Sequence, residues 1–330
     1  MKKHSSQIDV PVLMIFFCRD EQFRQVFESV KLARPSKLYL YQDGPRDSKP
    51  NDLIGIQKCR DIVDDKNIDW ECEVHRLYQD ENYGCDPSGY IAQKWLFQNE
   101  EIGIVLEDDV VPAQSFFPYC KELLEKYRYD SRINMICGMN NTGTSKHTND
   151  SYLFTKKGSI WGWASWRRVT DSWDKTYAWL NNPDQLSIIR PQLNRRDYHT
   201  LIDVSSKHNS SGRAHHESIN AASMYLYDRL NIVPKYNMIS NIGIAEESTH
   251  STNDIRLLPQ RIRKLFFMKT YEIDFPLKHP QEIKRDYRFE RKMSPSRFRL
   301  MLEKIEHLIY VFRYKGINET FRFIRNKIIK

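Results

Sequence analysis

The sequence predicts a doubly wound α/β sheet flanked by helices, with a basic helical tail behind it. Three observations carry this reading. Between residues 12 and 137, short apolar runs bounded by turn signals alternate with segments whose apolar residues recur at helical spacing. The runs are continuous rather than alternating, as strands covered on both faces require. The charge also divides the chain: residues 255–330 hold 20 Lys and Arg against 8 Asp and Glu, whereas residues 1–254 hold 31 against 35. A near-neutral body followed by a segment of net charge +12 suggests a globular unit with a surface-binding element.

The elements follow in order. Residues 12–18 (VLMIFFC) form a buried strand, and residues 21–33 a helix with Phe23, Val26, Phe27, Val30 and Ala33 on one face. The second strand, residues 37–42, is closed by Asp43-Gly44-Pro45-Arg46, a strong turn signal. A helix over 50–64 leads to a strand over 71–77, a loop over 82–86 and a helix over 88–99. Residues 102–106 are the next strand, followed by a helix over 116–129 with Ser115 as its N-cap and a strand over 133–137. Beyond residue 152 the regular alternation fades. The block Trp161-Gly162-Trp163-Ala164-Ser165-Trp166 suits either core packing or stacking on sugar faces. A helical insertion is expected over 183–209, a helix over 218–230, a short strand at Ile232-Val233, and a polar loop over 246–253.

Composition narrows the class. The 330 residues are 40% hydrophobic, enough for one large core plus an appendage and not a disordered composition. The six cysteines show no CxxC pair, so a reducing compartment is expected, with neither zinc site nor disulfide framework. No apolar h-region follows the basic start, and no apolar run approaches bilayer length, so a cytoplasmic protein is expected.

The chemistry concentrates after residue 106, where an apolar strand runs directly into Glu107, Asp108 and Asp109. Three carboxylates at the end of a buried strand cannot all stay ionised unless something neutralises them. A divalent cation does so, and hard oxygen ligands suit magnesium or manganese. The carboxyl ends of strands are also where open α/β sheets bind ligands.

Five blocks in register carry a resemblance: residues 11–20 (PVLMIFFCRD), 37–46 (KLYLYQDGPR), 103–119 (GIVLEDDVVPAQSFFPY), 161–168 (WGWASWRR) and 232–251 (IVPKYNMISNIGIAEESTHS). Together they resemble GT-A glycosyltransferases, in the bacterial polysaccharide-type branch related to N-acetylglucosaminyltransferase I. The resemblance implies a Rossmann-like nucleotide-diphospho-sugar transferase fold with a mixed sheet. It implies a catalytic domain over 1–253, its nucleotide-sugar half near 10–140 and its acceptor half near 141–253, with 254–330 as a largely helical extension. The donor would be a nucleotide-diphosphate sugar, most simply a UDP-sugar, and the acceptor a glycan or lipid-linked glycan. By similarity Asp109 ligates Mn2+ or Mg2+, Glu107 and Asp108 reach the donor sugar and ribose, Arg19 meets the nucleotide or phosphate, and Asp43 accepts from the base. Gly162 and Trp163 would meet the donor, and His250 would contact the metal or diphosphate. Glu217, before the strand that ends in Pro234, stands where an inverting family member carries its base. It sits beside His215 and His216, read here as surface or acceptor-side residues, and the competing reading is an acid favoured by a helix N-terminus.

Two other classes compete. A sugar-nucleotide nucleotidyltransferase would place a Gly-rich phosphate loop after the first strand, where this chain reads Cys18-Arg19-Asp20-Glu21. A non-enzymatic nucleic-acid binder would suit the basic tail but not the acidic edge. In the tail, apolar residues at 298, 301, 302, 305, 308, 309 and 312 form a helical stripe expected to pack on the body. The basic segment after Gly316 is expected to lie on an anionic membrane surface.

Overall fold

A computed structural model describes residues 3–244 and 254–328, and over 319–328 the backbone alone. The fold is mixed α/β: an eight-stranded mixed sheet flanked by helices, with a long C-terminal helix.

The first half follows the alternation in the sequence. Strands β1 (Val12–Phe16), β2 (Lys37–Gln42) and β3 (Glu73–Tyr78) alternate with helices α1 (Asp20–Ala33), α2 (Asp52–Ile62) and α3 (Cys85–Asn99), leading to β4 (Ile102–Glu107). β1 pairs in parallel with β2 and β4, and β2 with β3, so the carboxyl ends of four strands share one edge. The continuous apolar runs predicted this, since β1 is covered on one face by α1 and on the other by α3. Next come β5 (Val110–Pro112), α4 (Phe116–Lys126) and β6 (Ile133–Cys137). Ser115 precedes α4, yet its side chain makes no capping bond; the Glu272 carboxylate instead accepts from the Gln114 and Ser115 N–H groups at 3.0 and 2.7 Å.

The second half turns the sheet mixed. β7 (Tyr152–Thr155) and β8 (Trp163–Trp166) precede α5 (Arg167–Thr170), α6 (Pro183–Ile189), α7 (Arg195–Ser210) and α8 (His216–Leu226). The strands β9 (Leu230–Pro234) and β10 (Ile239–Asn241) follow. The sheet order is β3-β2-β1-β4-β8-β6-β9-β7, with β8 antiparallel to both β4 and β6. Trp163 and Trp166 therefore belong to a central strand and pack as core, whereas Trp161, half-buried just before that strand, lines a cleft.

The segment after residue 253 is helical over most of its described residues, with the helix concentrated toward its C-terminal end. Apart from a 3-10 turn (Ile255–Leu257) and α9 (Gln260–Arg263), it crosses the body as irregular chain until α10 (Tyr287–Met293). It is tied down by the Glu272 contacts, by a bond from Phe267 N–H to Asn241 O, and by Arg285 and Glu290. Helix α11 (Arg297–Ile328) closes the chain and is interrupted at Gly316, whose φ of 83° is non-helical. The expected packing of its apolar stripe on the body is not what the structure shows. Phe298, Met301, Leu302, Ile305, Ile309 and Phe312 are all exposed, and α11 meets the body by a polar edge instead.

Candidate active site

The acidic centre is built by two strand ends and a two-stranded ribbon. Register pairs Glu107, the last residue of β4, with Ile15 of β1, and Asp108 and Asp109 form the turn into β5. β5 pairs antiparallel with β10, Val110 opposite Asn241, which folds residues 241–243 over Asp109. Ile242 N–H donates to Asp109 O at 2.8 Å and Asn241 Nδ2 to Asp109 Oδ1 at 3.3 Å. A Cβ added to Gly243 would lie 1.9 Å from Asp109 Oδ2, so only glycine allows this approach.

Arg19 enters from the loop between β1 and α1. Its guanidinium bonds both oxygens of Asp108, donates to Asp109 Oδ2 at 2.9 Å and reaches Gly243 O at 3.4 Å. Arg19, expected at a phosphate, lines the cleft, but its main partners here are the two aspartates. Burial works against its charge, yet Asp108 and Asp109 outweigh that and raise its pKa.

One guanidinium does not balance three carboxylates. Burial, then Asp109, Asp108 and Glu217, pushes Glu107 well above the usual carboxylate range. Asp109 is raised to about 6 by burial and Asp108, against the pull of Arg19. The site therefore holds more negative charge than its own residues can stabilise. That imbalance, with all-oxygen donors and the glycine-lined cradle at Asp109, fits a divalent cation. Among the described residues no group of three His, Cys, Asp or Glu stands ready as a ligand set, so a bound ligand would have to complete the coordination. His250, expected at the metal or diphosphate, lies outside the described residues.

Glu217 stands in the first turn of α8, as expected, exposed yet near enough to raise Glu107. It borders clefts lined by Lys157, Trp161, Asn220 and Ala221 on one side and by Thr200, Leu201, His208 and Tyr225 on the other. His216 corrects the sequence reading. It is buried rather than on the surface, and its ring presses on α3 at Gly89, where a Cβ would come within 2.7 Å. Burial lowers its pKa. Neither ring nitrogen makes a well-formed hydrogen bond, and the residue lines the cleft that holds Arg19, Glu107 and Asp108. Successive helical residues point about 100° apart, so His216 and Glu217 serve two different clefts. His215 is held away from both by Asp86 (3.2 Å) and by stacking on His208.

Three donor-binding expectations change role. Asp43 lines the cleft, but its carboxylate already accepts from the N–H groups of Gly44, Tyr83 and Gly84 and from Asn82 Nδ2, at 2.9–3.1 Å. It pins the loop after β3 instead of standing open to a base. Burial raises its pKa, and those N–H groups offset part of the rise. Trp163 is 1% exposed inside the sheet core beside Phe97, leaving no face for a sugar. Gly162 is required by φ of +65° and by packing, since a Cβ would lie 2.5 Å from Ile239 Cδ1.

No protein-family model matches the chain, and no curated protein matches it. Among solved structures it is similar to 4-diphosphocytidyl-2C-methyl-D-erythritol synthase from Anaerococcus prevotii DSM 20548, with 10% identity, 70% of this chain and 91% of that one covered, and a TM-score of 0.36. It is also similar to UDP-glucose pyrophosphorylase complexed with UDP-glucose (10% identity, 69% and 91% covered, TM-score 0.35). A third is mouse xyloside xylosyltransferase 1 (10% identity, 66% and 81% covered, TM-score 0.35). Likeness at these scores carries no argument about activity. What the chain presents by itself is a mixed α/β sheet whose central strands end in an acidic centre with unbalanced charge.

Proposed function

We propose that the protein is a GT-A-type inverting glycosyltransferase that moves a sugar from a nucleotide-diphosphate sugar to a glycan or lipid-linked glycan. The observation that carries it is the under-neutralised trio Glu107, Asp108 and Asp109 at the carboxyl ends of the central strands, with Glu217, in a neighbouring cleft, close enough to raise Glu107. The donor would enter at the cleft of Phe16, Phe17, Arg46, Asn82 and Ser88, which is also lined by Arg19 and Asp108. Asp109 and its neighbouring carboxylates would hold Mn2+ or Mg2+, which when bound neutralises a departing diphosphate. Arg19 fixes Asp108 and Asp109 in place, and the buried His216 closes the wall between donor cleft and α8. The acceptor enters beside Glu217. The Glu217 carboxylate takes the acceptor hydroxyl's proton as that oxygen bonds the sugar's anomeric carbon, and the bond to the nucleoside diphosphate breaks on the opposite face. The loop between β1 and α1 spans only Phe17–Arg19. That is too short to wrap a triphosphate as a Gly-rich loop does, which favours glycosyl over nucleotidyl transfer.

The test is product identity. With manganese and a panel of sugar nucleotides, slow hydrolysis should release nucleoside diphosphate and free sugar. Formation of sugar nucleotide and pyrophosphate from a nucleoside triphosphate and a sugar 1-phosphate would assign the nucleotidyltransferase reading instead.

A further inference from the structure

Helix α11 is mounted with its polar edge inward. Arg261 grips Glu303 through a two-armed ion pair with contacts of 2.6 and 3.1 Å, and Glu303 is only 7% exposed. Glu306 accepts from Gln260 N–H at 3.2 Å, and His307 Nδ1 lies 2.6 Å from Leu257 O. Val311 is the apolar residue buried along this edge. Both acidic residues between Arg297 and Lys315 are thus engaged in these contacts.

The opposite face is apolar. Phe298, Met301, Leu302, Ile305, Ile309 and Phe312 are 39% to 65% exposed. At the α-helical turn angle they fall within an arc of roughly 100°. The exposed bases fall on its two flanks by the same geometry, Arg297, Lys304 and Lys315 on one side and Arg299 and Arg313 on the other. After Gly316 the helix continues through Ile328 with Arg322, Arg325 and Lys327 in its sequence.

We infer that α11 seats the protein on an anionic lipid surface, its apolar arc entering the acyl boundary and its flanking bases meeting the headgroups. An apolar face bordered by Lys and Arg is the arrangement that lies in a bilayer interface. Each base near such a surface adds attraction that salt screens. A second copy of the chain suits this face less well, because self-association would bring together two tails that each carry net +12 over residues 255–330. Among the described residues no helix is long and apolar enough to cross a membrane, so the attachment is to one surface. The inference stands on the helix alone and does not depend on the chemistry at Asp109.

The experiment is co-sedimentation of the full chain with phosphatidylglycerol–phosphatidylcholine vesicles and with phosphatidylcholine vesicles alone. Sedimentation velocity without lipid accompanies it. Binding is expected on the anionic vesicles only, weakening as salt rises. Ile305→Glu with Ile309→Glu should reduce it on the order of tenfold or more. Far-UV circular dichroism and thermal melting should not change, because both side chains are exposed. Should that pair perturb folding, Ile305→Ser with Ile309→Ser gives the same comparison more mildly. Absence of pelleting, equal pelleting of wild type and variant, or a lipid-free dimer that the substitutions dissociate would each overturn the inference.

Discussion

Two of the buried carboxylate sites in this chain are balanced differently. Glu290, at the joint between α10 and β7, accepts two-armed bonds from Arg285 along with Thr155 Oγ1 (3.1 Å) and Lys156 N–H (2.7 Å). A single charge meets a single countercharge there, with its oxygens fully engaged. At the ends of β1 and β4, three carboxylates share one guanidinium, and two of them are driven toward protonation. The first arrangement fastens the C-terminal strap to the sheet. The second is held at a cost in charge that packing does not require. Chemistry belongs where the protein leaves charge uncompensated.

The largest expected effect separates the two sites by function. Asp109→Ala should abolish metal-dependent turnover with the melting temperature equal to or above wild type, because a strained carboxylate has been removed. Near wild-type turnover in the presence of EDTA would remove the metal from the account. Glu217→Gln comes next: turnover should fall about 10²–10⁴-fold with donor binding kept. Loss of donor binding in equal measure would give Glu217 a different role. The converse substitution is Glu290→Ala, which strands Arg285 and should cost about 3–5 kcal/mol of stability. Activity per folded molecule should persist, as urea unfolding and active-site titration would establish.

How much of this was legible in the sequence follows from the same contrast. β1, β2 and β4 announced themselves because strands covered on both faces are continuous apolar runs, and the Glu107–Asp109 trio because acids after such a run are conspicuous. The Asp109 cradle was not legible. It depends on two three-residue strands, β5 and β10, too short to show a pattern, and on Gly243 lying against a residue 134 positions away. Glu272 as the partner of the α4 start and Asp43 as a loop anchor are likewise products of tertiary contact. His216 was missed because a histidine beside a solvent-facing glutamate reads as surface, and only the missing side chain at Gly89 makes room for it. The periodicity of α11 was plain, but periodicity states that a stripe exists and not which way it faces.

The smallest effect is on pH dependence. Asp109 has a folded-state value of about 6 against an ordinary 3.8, and Glu107 is displaced the same way, so folding favours their protonated forms. Below about pH 4 this costs nothing; as pH rises through about 6 the folded state loses stability. Metal-free wild type should therefore melt lower at about pH 7.5 than at about pH 5, and Asp109→Asn should lessen that drop. An unchanged slope in the variant would mean the acidic centre carries no such strain.

The most direct test of the central claim is Mn2+ binding followed by electron paramagnetic resonance, with and without UDP, in wild type and Asp109→Asn. Wild type should take up Mn2+ much more tightly once UDP is present, because carboxylate and diphosphate oxygens would complete one site, and Asp109→Asn should lose this gain. Equal Mn2+ binding by the two proteins, or a wild-type affinity indifferent to UDP, would contradict that claim.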